Sequence, residues 1–268
     1  MLILWLMTFF RFVGVWLIAD LKKVKHEWVK DRNELKILFL NGVLSAMTPL
    51  FFILALQEIS LSDVYFLAYT APAWVLLMAV FFLGEKLNQK KVFGLSLTLL
   101  GVYFIANPTG MQEITLGMIY ALVGAVTYAG GIVTGRELKD YSYHTVAVYS
   151  NAFQVVLLGL FALFVFPVPA FEGSLLLLAL IAFIGLFRGI AADLYFYALE
   201  KLEASSAAVI SLSELVFASV LAYFIFGETH TLLELAGYAI ILLSGMVILL
   251  RKSDLESFEY LLHMRRKH

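Results

Sequence analysis

Residues 174–199 read SLLLLALIAFIGLFRGIAADLYFYAL, an apolar run in which Arg188 and Asp193 are the two charged residues. A helix of about 20 mostly apolar residues is long enough to cross the hydrocarbon core of a bilayer. Strands of a membrane β-barrel are about half that length and alternate apolar with polar side chains, so the run does not fit a barrel wall. The stretch therefore predicts a membrane-spanning α-helix.

Comparable apolar runs occur along the whole chain on both sides of this one. The sequence is 62% hydrophobic and 15% charged, whereas a soluble domain carries roughly a quarter charged residues. We therefore predict an all-α polytopic membrane protein with about nine transmembrane helices. The predicted spans are 2–20, 35–56, 64–84, 92–108, 116–135, 145–167, 174–199, 205–226 and 232–250.

Lysine and arginine residues fall in every second connection between these spans. Connections rich in Lys and Arg are retained on the cytoplasmic side of a membrane. The charge pattern thus predicts a multi-pass protein of the cell membrane whose C-terminal tail, residues 252–268, is cytoplasmic. The connections without Lys or Arg are 57–63, 107–115, 167–173 and 227–231.

Composition and short motifs argue against several other classes of function. The formal net charge is −1, and the basic residues form short clusters between apolar runs, so no basic groove for nucleic acid is expected. The chain has no cysteine, its five histidines show no metal-ligand spacing, and no P-loop occurs. We expect no nucleic-acid partner, no bound metal and no cofactor. The expected partners are a small-molecule solute and the lipid bilayer.

The sequence repeats itself with a constant shift of 143 residues (198 − 55 = 143), which aligns Ala55 with Ala198. The same shift aligns the dipeptide at 84–85 with that at 227–228, both Gly-Glu. Because the predicted topology places matching helices in opposite directions, the two units form an inverted repeat, an arrangement typical of secondary transporters. Chance similarity between apolar helices is the alternative, but it does not explain a constant shift.

The two repeats are predicted to differ in length. The first, 1–109, has four helices, and the second, 116–251, has five. Under the shift, the helix at 116–135 has its counterpart before Met1. We therefore expect the first helix of the first repeat to be missing.

The chain resembles the EamA-type drug/metabolite transporter (DMT) superfamily. The resemblance implies two inverted five-helix repeats and a transport function without enzymatic activity. Two departures are the missing first helix and Leu215, which stands where that family often has proline. The motifs that carry the resemblance are Phe10-Arg11-Phe12, Ala71-Pro72, Leu83-Gly84-Glu85-Lys86-Leu87, Phe196-Tyr197-Ala198-Leu199, Ser213-Glu214-Leu215-Val216-Phe217-Ala218 and Phe226-Gly227-Glu228.

Ionisable side chains within predicted spans mark candidate functional residues, because burying a charge at mid-membrane costs at least about 2.5 kcal/mol. Arg188 and Glu214 lie at similar depth in consecutive spans. One interpretation makes Arg188 the anchor for a solute carboxylate or phosphate and Glu214 its counter-ion or a proton-coupling acid. The other is a closed structural ion pair. For Arg11 and Asp193 we favour structural pairing.

Polar and aromatic residues near these charges are further candidates for solute binding. Pro72 lies mid-span and is expected to kink its helix. The aromatic residues could instead face lipid, and the polar stripe that contains Asn41 and Ser45 could serve a helix contact. The candidate substrate-binding residues are Arg188, Glu214, Asn41, Ser45, Tyr69, Trp74, Tyr128 and Tyr195.

Three functions are compatible with these features. The first is a secondary transporter that moves an amino acid, another metabolite or an amphipathic drug by alternating access, coupled to an ion gradient or working as an uncoupled exporter. The second is an intramembrane enzyme acting on a lipid or polyprenyl phosphate. The third is a membrane partner without transport activity. The repeat, the short connections and the buried charges together favour the first.

Overall fold

The computed structural model describes residues 2–21, 29–106, 114–164, 173–227 and 229–249. Within these ranges the chain forms eleven α-helices and no β-strand. The helices are α1 (Leu2–Leu21), α2 (Arg32–Ala55), α3 (Leu61–Ala68), α4 (Ala71–Phe82), α5 (Gln89–Ala106), α6 (Leu116–Glu137), α7 (Tyr143–Phe164), α8 (Leu175–Lys201), α9 (Ala204–Ser211), α10 (Glu214–Phe226) and α11 (Leu232–Leu249).

The eleven helices build nine spans, because α3 with α4 and α9 with α10 each form one interrupted span. In the described part of the chain, seven segments are long and apolar enough to cross a membrane, and α11 is a shorter apolar helix. Helix α5, which is less apolar, packs along α11. The prediction of an all-α polytopic membrane protein with about nine spans is confirmed.

The helix boundaries repeat with the shift found in the sequence. Helices α3 and α9 begin 143 residues apart (204 − 61 = 143), and α2 and α8, α4 and α10, and α5 and α11 keep the same offset. The packing follows the exchange of repeats, since α1 packs on α8 as α2 packs on α7. The predicted inverted repeat is confirmed. The outer limits of the repeats, 1–109 and 116–251, stay predictions.

The bundle has two chemically different ends. We call "the basic end" the one where α4, α6 and α8 finish and where α5, α7 and α9 begin; Arg136, Lys201 and Lys91 lie there. The "opposite end" lies at the far side of the bundle. That the basic end is cytoplasmic remains a prediction from the charge pattern.

Helix α6 belongs to the second repeat and has no counterpart in the described part of the first. It packs on α2, where Leu44 lies against Gly130. The residue of α8 that corresponds to Leu44 is Phe187, and its side chain is 64% exposed. No described helix covers this side of α8, as expected if the first repeat lacks one helix.

Small residues allow the spans to approach closely. A Cβ added to Gly189 would lie 2.6 Å from the Arg11 carbonyl oxygen and 2.8 Å from the Gly14 Cα atom, so α1 and α8 touch through their backbones. Gly101 and Gly237 face each other in the same way between α5 and α11. Such contacts are typical of membrane helices, which lack a hydrophobic driving force between them.

The charges of Arg11 and Asp193 are paired inside the bundle, as predicted. The Arg11 guanidinium donates hydrogen bonds to the side-chain oxygens of Asn151 and Gln154 on α7. Asp193 forms a buried ion pair with His144, also on α7. Both residues therefore hold α7 to its neighbours, which offsets the cost of burying charge in a membrane.

The two interrupted spans break at equivalent places by different means. Pro72 is the second residue of α4, and its ring removes one helical hydrogen bond, which explains the break after Ala68. At the corresponding position in α10 stands Leu215, and the span is interrupted nevertheless. There the Ser211 hydroxyl bonds to the Ala208 carbonyl at 2.8 Å, a local contact that competes with the helix.

Candidate functional site

A cavity of about 360 Å³ lies where the two interrupted spans meet near the middle of the bundle. Its wall contains Tyr69 at the end of α3, Ala71 at the start of α4, Ser211 at the end of α9 and Glu214 at the start of α10. Arg188 of α8 completes this ring. Ends of half-helices expose unpaired backbone groups, so the site offers polar contacts in an otherwise apolar bundle.

The charges in this cavity have distinct backbone surroundings. Glu214 is the first residue of α10, where the positive end of the helix dipole favours a carboxylate. The start of α4 at Ala71 presents a second positive helix end to the cavity, and there no acidic side chain occupies the first turn. Together with Arg188, that helix end makes one part of the cavity attractive to an anion.

Arg188 and Glu214 line the same cavity without forming an ion pair. Neither side chain has an ion-pair partner within 4.0 Å in the part of the chain that the structure describes, and both residues are exposed. The closed ion pair considered from the sequence is therefore not formed in this conformation. The two charges are instead accessible to a molecule that enters the cavity.

Tyrosine side chains form the remaining polar wall. The rings of Tyr65 and Tyr69 stack with a centroid separation of 5.6 Å and an interplanar angle of 14°. Glu214 interacts electrostatically with the hydroxyl groups of Tyr69, Tyr128 and Tyr195, which places its carboxylate among them. Tyrosine combines an apolar ring with a polar hydroxyl, so this wall suits an amphipathic solute.

Two predicted site residues, Asn41 and Ser45, lie at contacts between helices. The Asn41 amide donates to the Gly131 carbonyl at 2.7 Å and to the Thr134 hydroxyl at 2.8 Å, both on α6. The Ser45 carbonyl accepts a hydrogen bond from the Gln154 amide at 2.6 Å. The structure thus gives both residues a packing role, and solute binding by either one stays a prediction.

Trp74 and Tyr195 lie below the cavity, on its side toward the basic end. They pack against an apolar cluster that we name the basic-end plug. The indole N–H of Trp74 and the hydroxyl of Tyr195 are buried and have no hydrogen-bond partner among the described residues. Their role in solute binding stays a prediction. The plug consists of Val75, Ala79, Ala129, Ile132, Val133, Leu199, Ala204, Ala207 and Ala208.

A second cavity, of about 450 Å³, lies behind Tyr65 and Tyr69. It extends between α5 and α10 to His230 and Tyr238, near the opposite end. The first cavity also reaches the opposite end, at Leu61. Because both cavities lie on that side of the basic-end plug, the structure is open toward the opposite end and closed toward the basic end.

The sequence analysis did not single out three residues that line the first cavity, namely Tyr65, Phe52 and Ser211. Tyr65 lies one helical turn before Tyr69, and that spacing was a usable signal. Ser211 takes its place from the second helix break, which no proline announces. Among the described residues no group of three or more His, Cys, Asp or Glu side chains could hold a metal ion.

Comparisons with known proteins agree on one family. The model of the EamA-like transporter family matches residues 1–107 and 115–250. A protein of Archaeoglobus fulgidus, described as an uncharacterized transporter, is 29% identical over 213 residues, which cover 79% of this chain and 75% of that protein. A second from the same organism and with the same description is 33% identical over 68% of this chain and 65% of its own length.

Two further matches add to this picture. The pseudopaline exporter CntI of Pseudomonas aeruginosa is 28% identical over 150 residues, which cover 55% of this chain and 53% of the exporter. A solved crystal structure matches with a TM-score of 0.76 and 18% identity, covering 92% of this chain and 88% of its own. At that identity the structural match supports the fold alone.

Proposed function

The chain belongs to the EamA-like transporter family, and on that premise we propose that it is a secondary transporter of a small organic solute. The solute binds in the cavity between the two interrupted spans and crosses by alternating access. The observation that carries this proposal is the joint position of Arg188, Glu214 and four half-helix ends around one cavity. Broken helices around a central site are typical of inverted-repeat transporters.

The chemistry of the cavity favours a solute with an anionic group and an amphipathic body. Arg188 and the start of α4 suit a carboxylate or phosphate, and Arg pairs with either in two parallel hydrogen bonds. Glu214 suits an ammonium group, and Tyr65 and Tyr69 suit an apolar or aromatic side chain. Amino acids and related metabolites carry all three features. A volume of about 360 Å³ is compatible with a small molecule of this class.

Direction and coupling form the finer part of the proposal. The named cargo of the similar P. aeruginosa protein is pseudopaline, a likeness that supports metabolite export for this chain as well. Glu214 is the residue we assign to proton coupling, because a solute ammonium and a proton would compete for the same carboxylate. The energy would then come from an ion gradient rather than from ATP.

Transport in proteoliposomes tests the proposal. We expect saturable movement of at least one solute from a panel of amino acids and amphipathic metabolites, with the solute recovered chemically unchanged. We expect Arg188→Ala to reduce the transport rate by about tenfold or more, since it removes the anion contact. Arg32→Ala, which removes an exposed arginine at the start of α2, is the matched control and should leave the rate unchanged.

A second pair of variants examines coupling. Glu214→Gln should abolish the dependence of transport on a pH gradient, whereas Glu137→Gln, at an exposed position of α6, should preserve it. A solute that emerges chemically altered would favour the intramembrane enzyme instead. Normal transport with Arg188→Ala and normal pH dependence with Glu214→Gln would remove both residues from the mechanism.

A further inference from the structure

One side chain joins the two repeats at the basic end. Glu85 lies in the connection between α4 and α5, in the first repeat. One of its carboxylate oxygens, Oε1, accepts a hydrogen bond from the backbone N–H of Ala204 at 2.6 Å. The other, Oε2, accepts from the hydroxyl of Ser205. Ala204 and Ser205 are the first two residues of α9, in the second repeat.

A buried lysine strengthens this junction. The Nζ atom of Lys91, at the start of α5, lies 3.0 Å from Oε2 of Glu85 and 2.9 Å from Oε2 of Glu203. The Lys91 side chain is 5% exposed and that of Glu85 is 7% exposed, so water screens their attraction poorly. The cluster therefore connects the α4–α5 connection, α5 and the start of α9.

Glu85 does for α9 what a local residue does for α3. Helix α3 begins after Ser60, whose hydroxyl accepts the backbone N–H of Asp63 at 3.2 Å. The corresponding residue before α9 is Glu203, whose side chain makes no capping hydrogen bond. The start of α9 is therefore capped by a residue from the other repeat, so its cap depends on how the two repeats are placed.

The junction lies on the outer side of the basic-end plug. Ala204, which donates to Glu85, is itself a member of the plug, and Leu83 and Leu202 pack against it. A path from the cavity to the basic end must pass between these residues. Opening that path requires the α4–α5 connection and the start of α9 to separate.

We propose that Glu85 is a latch between the two repeats. Its hydrogen bonds to the start of α9 hold the basic end shut, and they break when the bundle opens toward that end. The latch rests on the proposed function, because it gives alternating access a closed and an open state at this end. Its position at the membrane surface allows water to replace the broken bonds when the latch opens.

The protonation state of Glu85 agrees with this role. Burial by itself raises the pKa of this carboxyl group. The hydrogen bonds from Ser205 and Lys91, the charge of Lys91 and the Ala204 N–H act in the other direction and hold the pKa below its ordinary value of 4.5. The carboxylate that accepts these bonds is therefore present at neutral pH.

Distances between spin labels test the latch without any solute. The chain has no cysteine, so Lys86→Cys and Lys201→Cys, both at exposed positions, attach one label to each side of the junction. In nanodiscs we expect one main short distance in this double-cysteine protein. Adding Glu85→Gln should raise the ratio of long to short distances by about tenfold, because charge-assisted hydrogen bonds are lost.

Two further variants complete the test. Ser205→Ala removes one partner and keeps the carboxylate, so it should shift the ratio in the same direction by a smaller factor; it also serves if Glu85→Gln does not fold. Glu137→Gln removes an exposed carboxylate at the same end and should leave the ratio unchanged. An unchanged ratio in a folded Glu85→Gln or Ser205→Ala protein would overturn the latch.

The latch and the proposed function fail in different ways. If Glu85→Gln opens the basic end but no solute moves in proteoliposomes, the latch stands and the transport proposal falls. If transport is observed and the label distances do not respond to Glu85→Gln, the transport proposal stands and the latch falls.

Discussion

Gly84 and Gly227 lie 143 residues apart and share a left-handed backbone, with φ of 65° and 70°. Gly84 follows α4, and Gly227 ends α10, where its N–H bonds to the Tyr223 carbonyl at 3.1 Å. Residues with a Cβ atom rarely adopt such φ values, whereas glycine does so without strain. The two glycines therefore turn the chain in the same way at opposite ends of the bundle.

Replacing either glycine should cost stability through the backbone alone. Nothing lies within 4 Å of a Cβ added at Gly84, so Gly84→Ala is expected to lower the free energy of unfolding by about 1 to 2 kcal/mol through φ strain. Chemical denaturation in detergent measures this change. Gly245→Ala, in the interior of α11 and also without neighbours, should be neutral or stabilising. Equal effects at both positions would contradict the explanation.

The backbone contact between α1 and α8 gives a second prediction. Gly189→Ala is expected to lower the free energy of unfolding by about 1 to 3 kcal/mol, because the new methyl group would overlap the backbone of α1. The same denaturation measurement applies. Gly131→Ala is the control, since its Cβ would meet only the Ser45 hydroxyl, at an ordinary 3.5 Å. A fully stable Gly189→Ala protein would show that α1 and α8 are farther apart.

The second helix break should accept a proline. Leu215 is the second residue of α10, as Pro72 is of α4, and its N–H makes one turn-like bond to the Leu212 carbonyl at 3.1 Å. Leu215→Pro is therefore expected to cost about 1 kcal/mol. Val220→Pro, in the middle of α10, should cost about 3 kcal/mol or more. Thermal unfolding of the two variants in one detergent measures the difference, and similar losses would argue against a break at this position.

The lowered pKa of Glu85 predicts how the basic end responds to acid. The pKa is lower in the folded protein than its ordinary 4.5, so the stabilisation is present above that value and is lost as the pH falls through the lowered pKa. The spin-label distances across the junction should therefore stay constant from about pH 8 to pH 5 and lengthen only in stronger acid. A transition near neutral pH would assign the response to another group.

Much of the fold followed from the sequence because bilayer length and apolar composition constrain a span strongly. The spans, the inverted repeat and the pairing of Arg11 and Asp193 were predicted before the structure was considered. The constant shift even aligns the helix breaks. The break before Glu214 was not predicted, because no proline marks it and short serine contacts are weak signals.

The candidate site was harder to predict than the fold. Arg188 and Glu214 stood out because charge is costly in a membrane, and both line the cavity. Asn41 stood out equally, yet it contacts α6, since a polar stripe serves a helix contact as well as a pathway. Glu85 was interpreted from the sequence as a helix-end residue at the membrane surface. Its contact with Ser205 depends on tertiary packing, which one sequence does not reveal.

The uncovered side of α8 affects how this protein must be handled. Arg188 lies in the apolar middle of that helix, and no described helix shields it from outside. A guanidinium group in that position attracts water or lipid phosphate toward the bilayer centre and thins the membrane locally. Acyl-chain length and headgroup charge should consequently influence its behaviour as strongly as many point mutations do. Native lipid extracts are the safer solvent for the experiments described above.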